Sequence, residues 1–128
     1  MELDNIRFIR GNFRYMYPLL APESLETVFL HFPDPNTSKK FRKRLLFTTL
    51  FLDGIHHALL PGGRLSVMTD VLEMFVLMLG LIEQDDRYQK AHPERYLIGF
   101  DAPARSRYQK TWEKYGFPTL RFEVVKGD

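Results

Sequence analysis

The sequence predicts an α/β domain in which helices flank a mostly parallel β-sheet. Short apolar runs of the kind found in buried strands alternate along the chain with longer runs of helical periodicity. Two of the strand-like runs stop abruptly at a polar residue, Asp34 and Asp70. The chain has 128 residues, of which 45% are hydrophobic, so we expect residues 1–128 to form one domain with its own core.

The amino-terminal half supplies two of the predicted strands. The first covers residues 5–10 and ends at the turn signal Gly11-Asn12. The second covers residues 27–32, is β-branched and aromatic, and stops at Pro33-Asp34-Pro35. Because nearly all of its side chains are apolar, we expect this second strand to be buried on both faces.

Helices and strands then alternate to the end of the chain. Residues 48–60 carry apolar side chains at helical spacing, and Pro61-Gly62-Gly63 is typical of a helix exit. A strand at 64–68 and a very apolar helix at 71–82 follow. An amphipathic helix at 106–115 and an alternating strand at 119–125 complete the prediction.

Composition excludes several classes of protein. Without cysteine, the chain can form neither disulfides nor thiolate zinc sites. The histidines are isolated or, at His56-His57, adjacent and unable to face one metal from a helix, so we expect no metal site. The acidic start is unlike a secretory signal, and the longest apolar run, residues 74–82, falls short of the roughly 20 residues of a membrane span. We therefore expect a cytoplasmic protein without membrane contact.

Charge is concentrated at one place. The formal net charge is only +2, yet five of the six residues at 39–44 are cationic. Such a cluster is either a solvated helix start or a surface that binds phosphates. It follows directly after Asp34, at a predicted strand end. Because ligands of open α/β sheets bind at the carboxyl ends of strands, Asn12, Asp34 and Asp70 are candidate site residues, although each alone is also explained as a cap or turn former.

Several motifs follow one another along the chain: Phe32-Pro33-Asp34-Pro35, Lys43-Arg44, Leu60-Pro61-Gly62-Gly63, Thr69-Asp70 and Ser106-Arg107-Tyr108-Gln109. In this order they resemble the motifs of the bacterial tRNA (guanine-N7)-methyltransferase family. The resemblance implies a partial Rossmann-like fold of the class I S-adenosylmethionine-dependent methyltransferases. It also implies transfer of a methyl group from S-adenosylmethionine to guanine N7 in tRNA.

The resemblance assigns a role to each motif. Asp34 is the expected catalytic residue, and Asn12 and Asp34 are expected to contact S-adenosylmethionine. The residues expected to bind tRNA, the macromolecular partner, are Ser38, Lys40, Arg42, Lys43, Arg44, Asp70, Ser106, Arg107, Tyr108 and Gln109.

The chain also departs from the family pattern. It has no glycine-rich turn for the cofactor, and Asn36, Val71 and Gln109 replace a Trp, a Trp and a Glu. We therefore expect a truncated, carboxyl-terminal portion of the fold, with a homo-oligomer or a partner chain supplying the missing half. Three hypotheses remain: part of an enzyme, a non-catalytic tRNA-binding or partner-stabilising module, and a remnant without function.

Overall fold

The computed structural model describes residues 5, 10, 19–33, 47–99 and 119–127. Two helices and five strands lie in this part of the chain. In chain order they are β1 (Leu25–His31), α1 (Thr49–Ala58), β2 (Leu59–Thr69), α2 (Leu72–Glu83), β3 (Tyr88–Lys90), β4 (Leu97–Ile98) and β5 (Leu120–Lys126). The predicted α/β class is confirmed. No helix among these residues is long and apolar enough to cross a bilayer.

The five strands form one mixed sheet in the order β1-β2-β5-β3, with β4 also paired to β5. The predicted parallel arrangement is present between β1 and β2. On the other side of β2, strand β5 runs antiparallel to β2, β3 and β4. Buried and half-buried residues alternate strictly along β5, a pattern typical of antiparallel strands whose two faces differ.

One face of the sheet, here called the helical face, holds the core. Alternate residues of β2 and β5 point there, among them Leu65, Val67 and Phe122, and both helices pack on them. The ring centroid of Phe122 lies 5.8 Å from that of Phe75 on α2 and 6.4 Å from that of Phe47 before α1. The apolar residues that recur at helical spacing in the sequence are therefore the ones that pack against this face.

The start of α1 agrees with the prediction, but its end does not. Thr48 caps the helix, because its Oγ1 accepts a hydrogen bond of 3.2 Å from the Phe51 backbone N–H. The helix ends at Ala58, and β2 begins at Leu59, five residues earlier than predicted.

Pro61-Gly62-Gly63 lies inside β2 as a bulge. The pairing with β1 passes from Leu25↔Leu59 directly to Thr27↔Arg64, which extrudes the residues between. A side chain at Gly63 would bring its Cβ to 2.8 Å from the backbone oxygen of Leu60. Glycine is therefore required there by close approach of two backbone segments.

The prediction that the second strand is buried on both faces is wrong. Every residue of β1 is at least partly exposed, and 55% of Phe29 is accessible to solvent. The physical reason is position: among the described strands, β1 has a single neighbour, β2, and lies at the edge of the sheet.

Two short strands, β3 and β4, were not predicted. The predicted strand at 5–10, apart from its two end residues, and the predicted helix at 106–115 lie outside the described residues.

Candidate functional site

The carboxyl ends of β1 and β2 lie side by side. The edge of the sheet formed by these strand ends is here called the carboxyl edge, and it is the edge meant in this subsection. His31 pairs with Met68, and the backbone N–H of Phe32 donates a hydrogen bond of 2.7 Å to the Met68 carbonyl. Strand β2 ends one residue later, and Asp70 follows it. The end of β1, which leads to the Pro33-Asp34-Pro35 motif, therefore lies beside Thr69, where the Thr69-Asp70 motif begins.

Each strand exit at this edge has a local cause. Thr69 Oγ1 accepts a hydrogen bond of 3.2 Å from the Val71 backbone N–H, which turns the chain from β2 into α2. Phe32 has a φ of 53°, a left-handed conformation that is rare for a bulky residue and rarer still before a proline. Strained backbone of this kind is concentrated at functional sites, so the Phe32 conformation indicates that the end of β1 belongs to such a site.

A third segment starts and ends at the same edge. Strand β5 begins at Leu120, which pairs with Thr69, and the Gly99 backbone N–H donates a hydrogen bond of 2.8 Å to the Thr119 carbonyl. Residues 100–118 thus connect two points that touch each other close to Asp70. Both ends of this segment therefore lie at the same edge as Asp70.

Of the predicted site residues, the structure describes only Asp70, which is partly exposed at this edge. The other predicted residues lie outside the described part of the chain: Asn12, Asp34, Ser38, Lys40, Arg42, Lys43, Arg44, Ser106, Arg107, Tyr108 and Gln109. Their roles stay predictions. Among the described residues, no three His, Asp or Glu side chains are grouped so as to hold a metal ion.

The face opposite the helices, here called the polar face, carries a charged network that the sequence analysis missed. Glu123 on β5 lies 3.4 Å from the guanidinium of Arg64 and 3.6 Å from that of Arg121. The alternation of Arg64-Ser66 on β2 with Arg121-Glu123 on β5 was the available signal, because period-two alternation places such residues on one face.

His31 joins this face at the end of β1. Its Nε2 lies 3.3 Å from Ser66 Oγ, and its ring packs edge-on against Phe29 with centroids 5.4 Å apart. Burial lowers the pKa of His31 below its usual 6.5, while the nearby Glu123 carboxylate partly opposes that shift. The imidazole at this edge is therefore a neutral hydrogen-bonding group at neutral pH.

His92 completes the outer edge of β5. Its Nδ1 lies 2.7 Å from the Glu94 carbonyl, and its Nε2 accepts a hydrogen bond of 3.2 Å from the Glu123 backbone N–H. These partners require the proton on Nδ1. The imidazole thus serves the Glu123 N–H in the gap between β3 and β4, while the Glu123 carbonyl accepts a hydrogen bond of 3.0 Å from the Ala91 N–H.

Ion pairs fasten the loop between α2 and β3 at the far end of the molecule. Arg95 and then Lys90 hold the pKa of the Glu83 carboxyl at about 2 through hydrogen bonds at 2.9 Å and 2.7 Å. Arg87 similarly lowers the pKa of Asp85 and also bonds Asp53 on α1 at 2.7 Å. These side chains are all at least partly exposed and pair with one another, so we interpret them as structural.

Comparison with known proteins yields a consistent set of matches. A family model described as "Putative methyltransferase" matches residues 1–121. The tRNA (guanine-N(7)-)-methyltransferase of Rubrobacter xylanophilus is 52% identical over 125 residues, covering 98% of this chain and 56% of the relative. The enzyme of the same name from Chloroherpeton thalassium is 38% identical, covering 98% and 55%.

A solved structure is also similar to the chain. An rRNA methylase from Streptococcus thermophilus matches 83% of this chain and 49% of its own, with a TM-score of 0.41 and 17% sequence identity. The chain spans about half the length of the curated relatives it matches.

Proposed function

The chain belongs to the methyltransferase family matched over residues 1–121, that of the tRNA (guanine-N7)-methyltransferases, and from this premise we propose that it forms the tRNA-facing part of such an enzyme. The reaction is transfer of a methyl group to N7 of a guanine in tRNA. The family as a whole uses S-adenosylmethionine as methyl donor. In this proposal the chain supplies the groups that position the guanine and grip the tRNA backbone.

One observation carries the proposal: the carboxyl ends of β1 and β2 lie side by side. The hydrogen bond between Phe32 N–H and the Met68 carbonyl fixes this register. N7 of guanine attacks with a ring lone pair, so no base has to remove a proton before transfer. Positioning and charge stabilisation are therefore the main tasks, and two adjacent strand ends can align two reactants.

We assign Asp70 to the target guanine. A partly exposed carboxylate at a strand end accepts hydrogen bonds from the N1–H and amino group on the Watson–Crick edge of guanine. We assign the cofactor contacts to Asn12 and Asp34, with Asp34 as the catalytic residue beside the reacting methyl group. Ser106, Arg107, Tyr108 and Gln109 would complete the base and ribose contacts.

The basic residues after Asp34 would bind phosphates. Each phosphate that a cation neutralises adds about 0.9 to the slope of log affinity against log salt, by analogy with duplex DNA. Replacing Lys40, Arg42, Lys43 and Arg44 by Ala should therefore weaken tRNA binding at low salt and flatten its salt dependence. Ser38 would contribute at the start of the same segment.

The edge position of β1 supports a second partner besides tRNA. An exposed strand edge with apolar side chains such as Phe29 is a liability that proteins seldom leave open. We propose that it is covered by a partner chain or a further copy that supplies the rest of the fold, or by residues 5–9 of this chain. Slow hydrogen exchange of β1 amides would support coverage, whereas fast exchange in a monomer would refute it.

The decisive experiment measures tRNA binding and methyl transfer together. Purified chain is mixed with unmodified tRNA and labelled S-adenosylmethionine, alone and with a relative's amino-terminal half. Transfer that requires N7, and so fails on 7-deazaguanosine tRNA, and that falls at least tenfold in Asp70→Asn, supports the proposal. Asp86→Asn is the matched control, because Asp86 is exposed in the loop after α2, away from this edge.

The remaining outcomes also decide. Salt-dependent tRNA binding without transfer under any condition favours the alternative, a non-catalytic tRNA-binding module. Absence of both binding and transfer refutes the two hypotheses together. Because the sequence has no glycine-rich turn, calorimetry should show weak or no S-adenosylmethionine binding by the chain alone, even though Asn12 and Asp34 are assigned contacts to it. Micromolar binding would contradict this expectation.

A further inference from the structure

Strand β1 is held in the sheet from one side, because β2 is its single neighbour among the described strands. The position of its carboxyl end therefore depends on contacts with β2, and two such contacts lie there. One is the backbone hydrogen bond from the Phe32 N–H to the Met68 carbonyl. The other joins two side chains, His31 Nε2 and Ser66 Oγ, at 3.3 Å.

The contact between His31 and Ser66 runs diagonally across the two strands. His31 pairs with Met68, whereas the residue opposite Ser66 is Phe29. The His31 side chain therefore reaches back by two residues along β2, on the face that these alternate residues share. A contact straight across two strands opposes their separation, whereas a diagonal contact also opposes the sliding of one strand along the other.

Both groups are held in place for this contact. The Phe29 ring packs edge-on against the imidazole with centroids 5.4 Å apart, which limits rotation of the imidazole. Ser66 is only 4% exposed, and a hydroxyl so buried costs free energy unless it forms a hydrogen bond. Either tautomer of the neutral imidazole can form that bond, because a hydroxyl both donates and accepts.

The residue after His31 shows why a fixed position matters at this end. Phe32 has a φ of 53°, and backbone strain of this kind persists only where the surrounding structure imposes it. A shift of His31 would be passed directly to Phe32 and so to the exit of β1. Reactions between two bound groups tolerate little displacement, since about 1 Å of misplacement can cost about 100-fold in rate.

We propose that His31 is a positioning residue for methyl transfer, an inference that rests on the proposed function. Through Ser66 it fixes the end of β1 relative to the end of β2. Asp34 follows the first of these strand ends and Asp70 follows the second. The contact thereby aligns the residue assigned to the reacting methyl group with the residue assigned to the guanine, and His31 itself touches neither reactant.

Steady-state kinetics of methyl transfer to tRNA test this role, with the chain and a relative's amino-terminal half assayed well below the melting temperature. His31→Ala should lower kcat at least tenfold and leave KM for tRNA within about twofold, because the groups that bind tRNA are unchanged. Ser66→Ala should have the same effect, and the double variant should be no slower than either single variant, because both remove one contact. His31→Gln, whose amide extends as far as Nε2, should recover most of the rate.

His92→Ala is the matched control. It also removes a hydrogen bond made by an imidazole in this sheet, but the partner is the Glu123 N–H on β5. It should lower the melting temperature about as much as His31→Ala does, while kcat stays within about twofold of the wild-type value.

The other outcomes separate this inference from the function on which it rests. An unchanged kcat in His31→Ala, with an active wild-type chain, would overturn the inference and leave the proposed function standing. A loss in His31→Ala that Ser66→Ala does not share would also overturn it, by making His31 a direct contact of a reactant. If the wild-type chain transfers no methyl group under any condition, the proposed function fails and this inference fails with it.

Discussion

The two faces of the sheet are built from alternate residues of the same strands and yet obey different physics. On the helical face, Phe122 and its neighbours exclude water through the packing of two helices. On the polar face, the next residue, Glu123, binds two arginines. On the helical face, stability comes from the apolar area that is buried and needs no specific partner for each side chain. On the polar face, it depends on each charge keeping its counterpart. The two faces should therefore respond differently to substitution.

Phe122→Ala should have the largest effect. Phe122 is fully buried between the rings of Phe47 and Phe75, so truncation removes its transfer free energy and leaves a cavity. We expect the free energy of unfolding to fall by about 3–5 kcal/mol, measured by urea denaturation. Phe29→Ala, on the exposed part of β1, is the control and should cost well under half as much. Equal losses of unfolding free energy in the two variants would contradict the difference between the buried core and the exposed strand β1.

Glu123→Gln tests the charged network on the polar face. The substitution keeps the shape of the side chain but removes the negative charge that lies 3.6 Å from the Arg121 guanidinium, whose side chain is only 11% exposed. We expect a loss of about 1–2 kcal/mol, mostly through Arg121. Arg64, with 55% of its side chain exposed, should contribute little, so Arg64→Met should change stability by less than about 1 kcal/mol. A larger loss of stability in Arg64→Met than in Glu123→Gln would contradict this.

His92→Ala should loosen the outer edge of β5. It removes the acceptor of the Glu123 backbone N–H, at a cost of about 1 kcal/mol. Hydrogen exchange of the Glu123 amide should accelerate, and His92→Gln, whose amide oxygen can accept the same bond, should partly restore protection. His57→Ala, an exposed histidine on α1, should leave that amide unchanged. An unchanged exchange rate of the Glu123 amide in His92→Ala would show that the imidazole does not protect this amide.

The smallest expected effect is a pH dependence from His31. Its pKa is lower in the folded chain than the usual 6.5, so below that pH the unfolded chain binds more protons than the folded one. The unfolding free energy should therefore fall as the pH drops below about 6.5, and the contribution is fully present above it. His56, whose pKa burial also lowers, acts in the same direction. His31→Asn keeps a partner for Ser66 and should flatten, without abolishing, the slope between pH 7.5 and 5.5.

Sequence reasoning located the helical face well because its signals are local. Helical periodicity at Phe51 and Ile55, and alternation at Phe122, come from contact with one buried surface. It missed β3 and β4 because two or three residues carry no period, and their pairing with β5 depends on residues far along the chain. It also missed the bulge in β2. Pro-Gly-Gly after a helical pattern is typical of the end of a helix, and the sequence alone does not show that the residues on both sides of it pair with β1.

The candidate site was predicted from motif order, and only part of it is placed by the fold. The sequence indicated that Asp70 follows a strand, which is confirmed. That the exits of β1 and β2 and the start of β5 adjoin the same edge required the pairing of strands, because His31, Met68 and Leu120 are distant in sequence. His31 and Ser66 were missed because a lone histidine in an apolar strand gives no sign of which face it joins.

The hydrogen bond between Gly99 and Thr119 holds together the two points between which residues 100–118 run. Because the pairing of β5 with β2 fixes Leu120 opposite Thr69, the register of β5 does not depend on the length of chain that joins these two points. Natural variation can therefore lengthen, shorten or rewrite this part of the chain while the register of β5 stays the same.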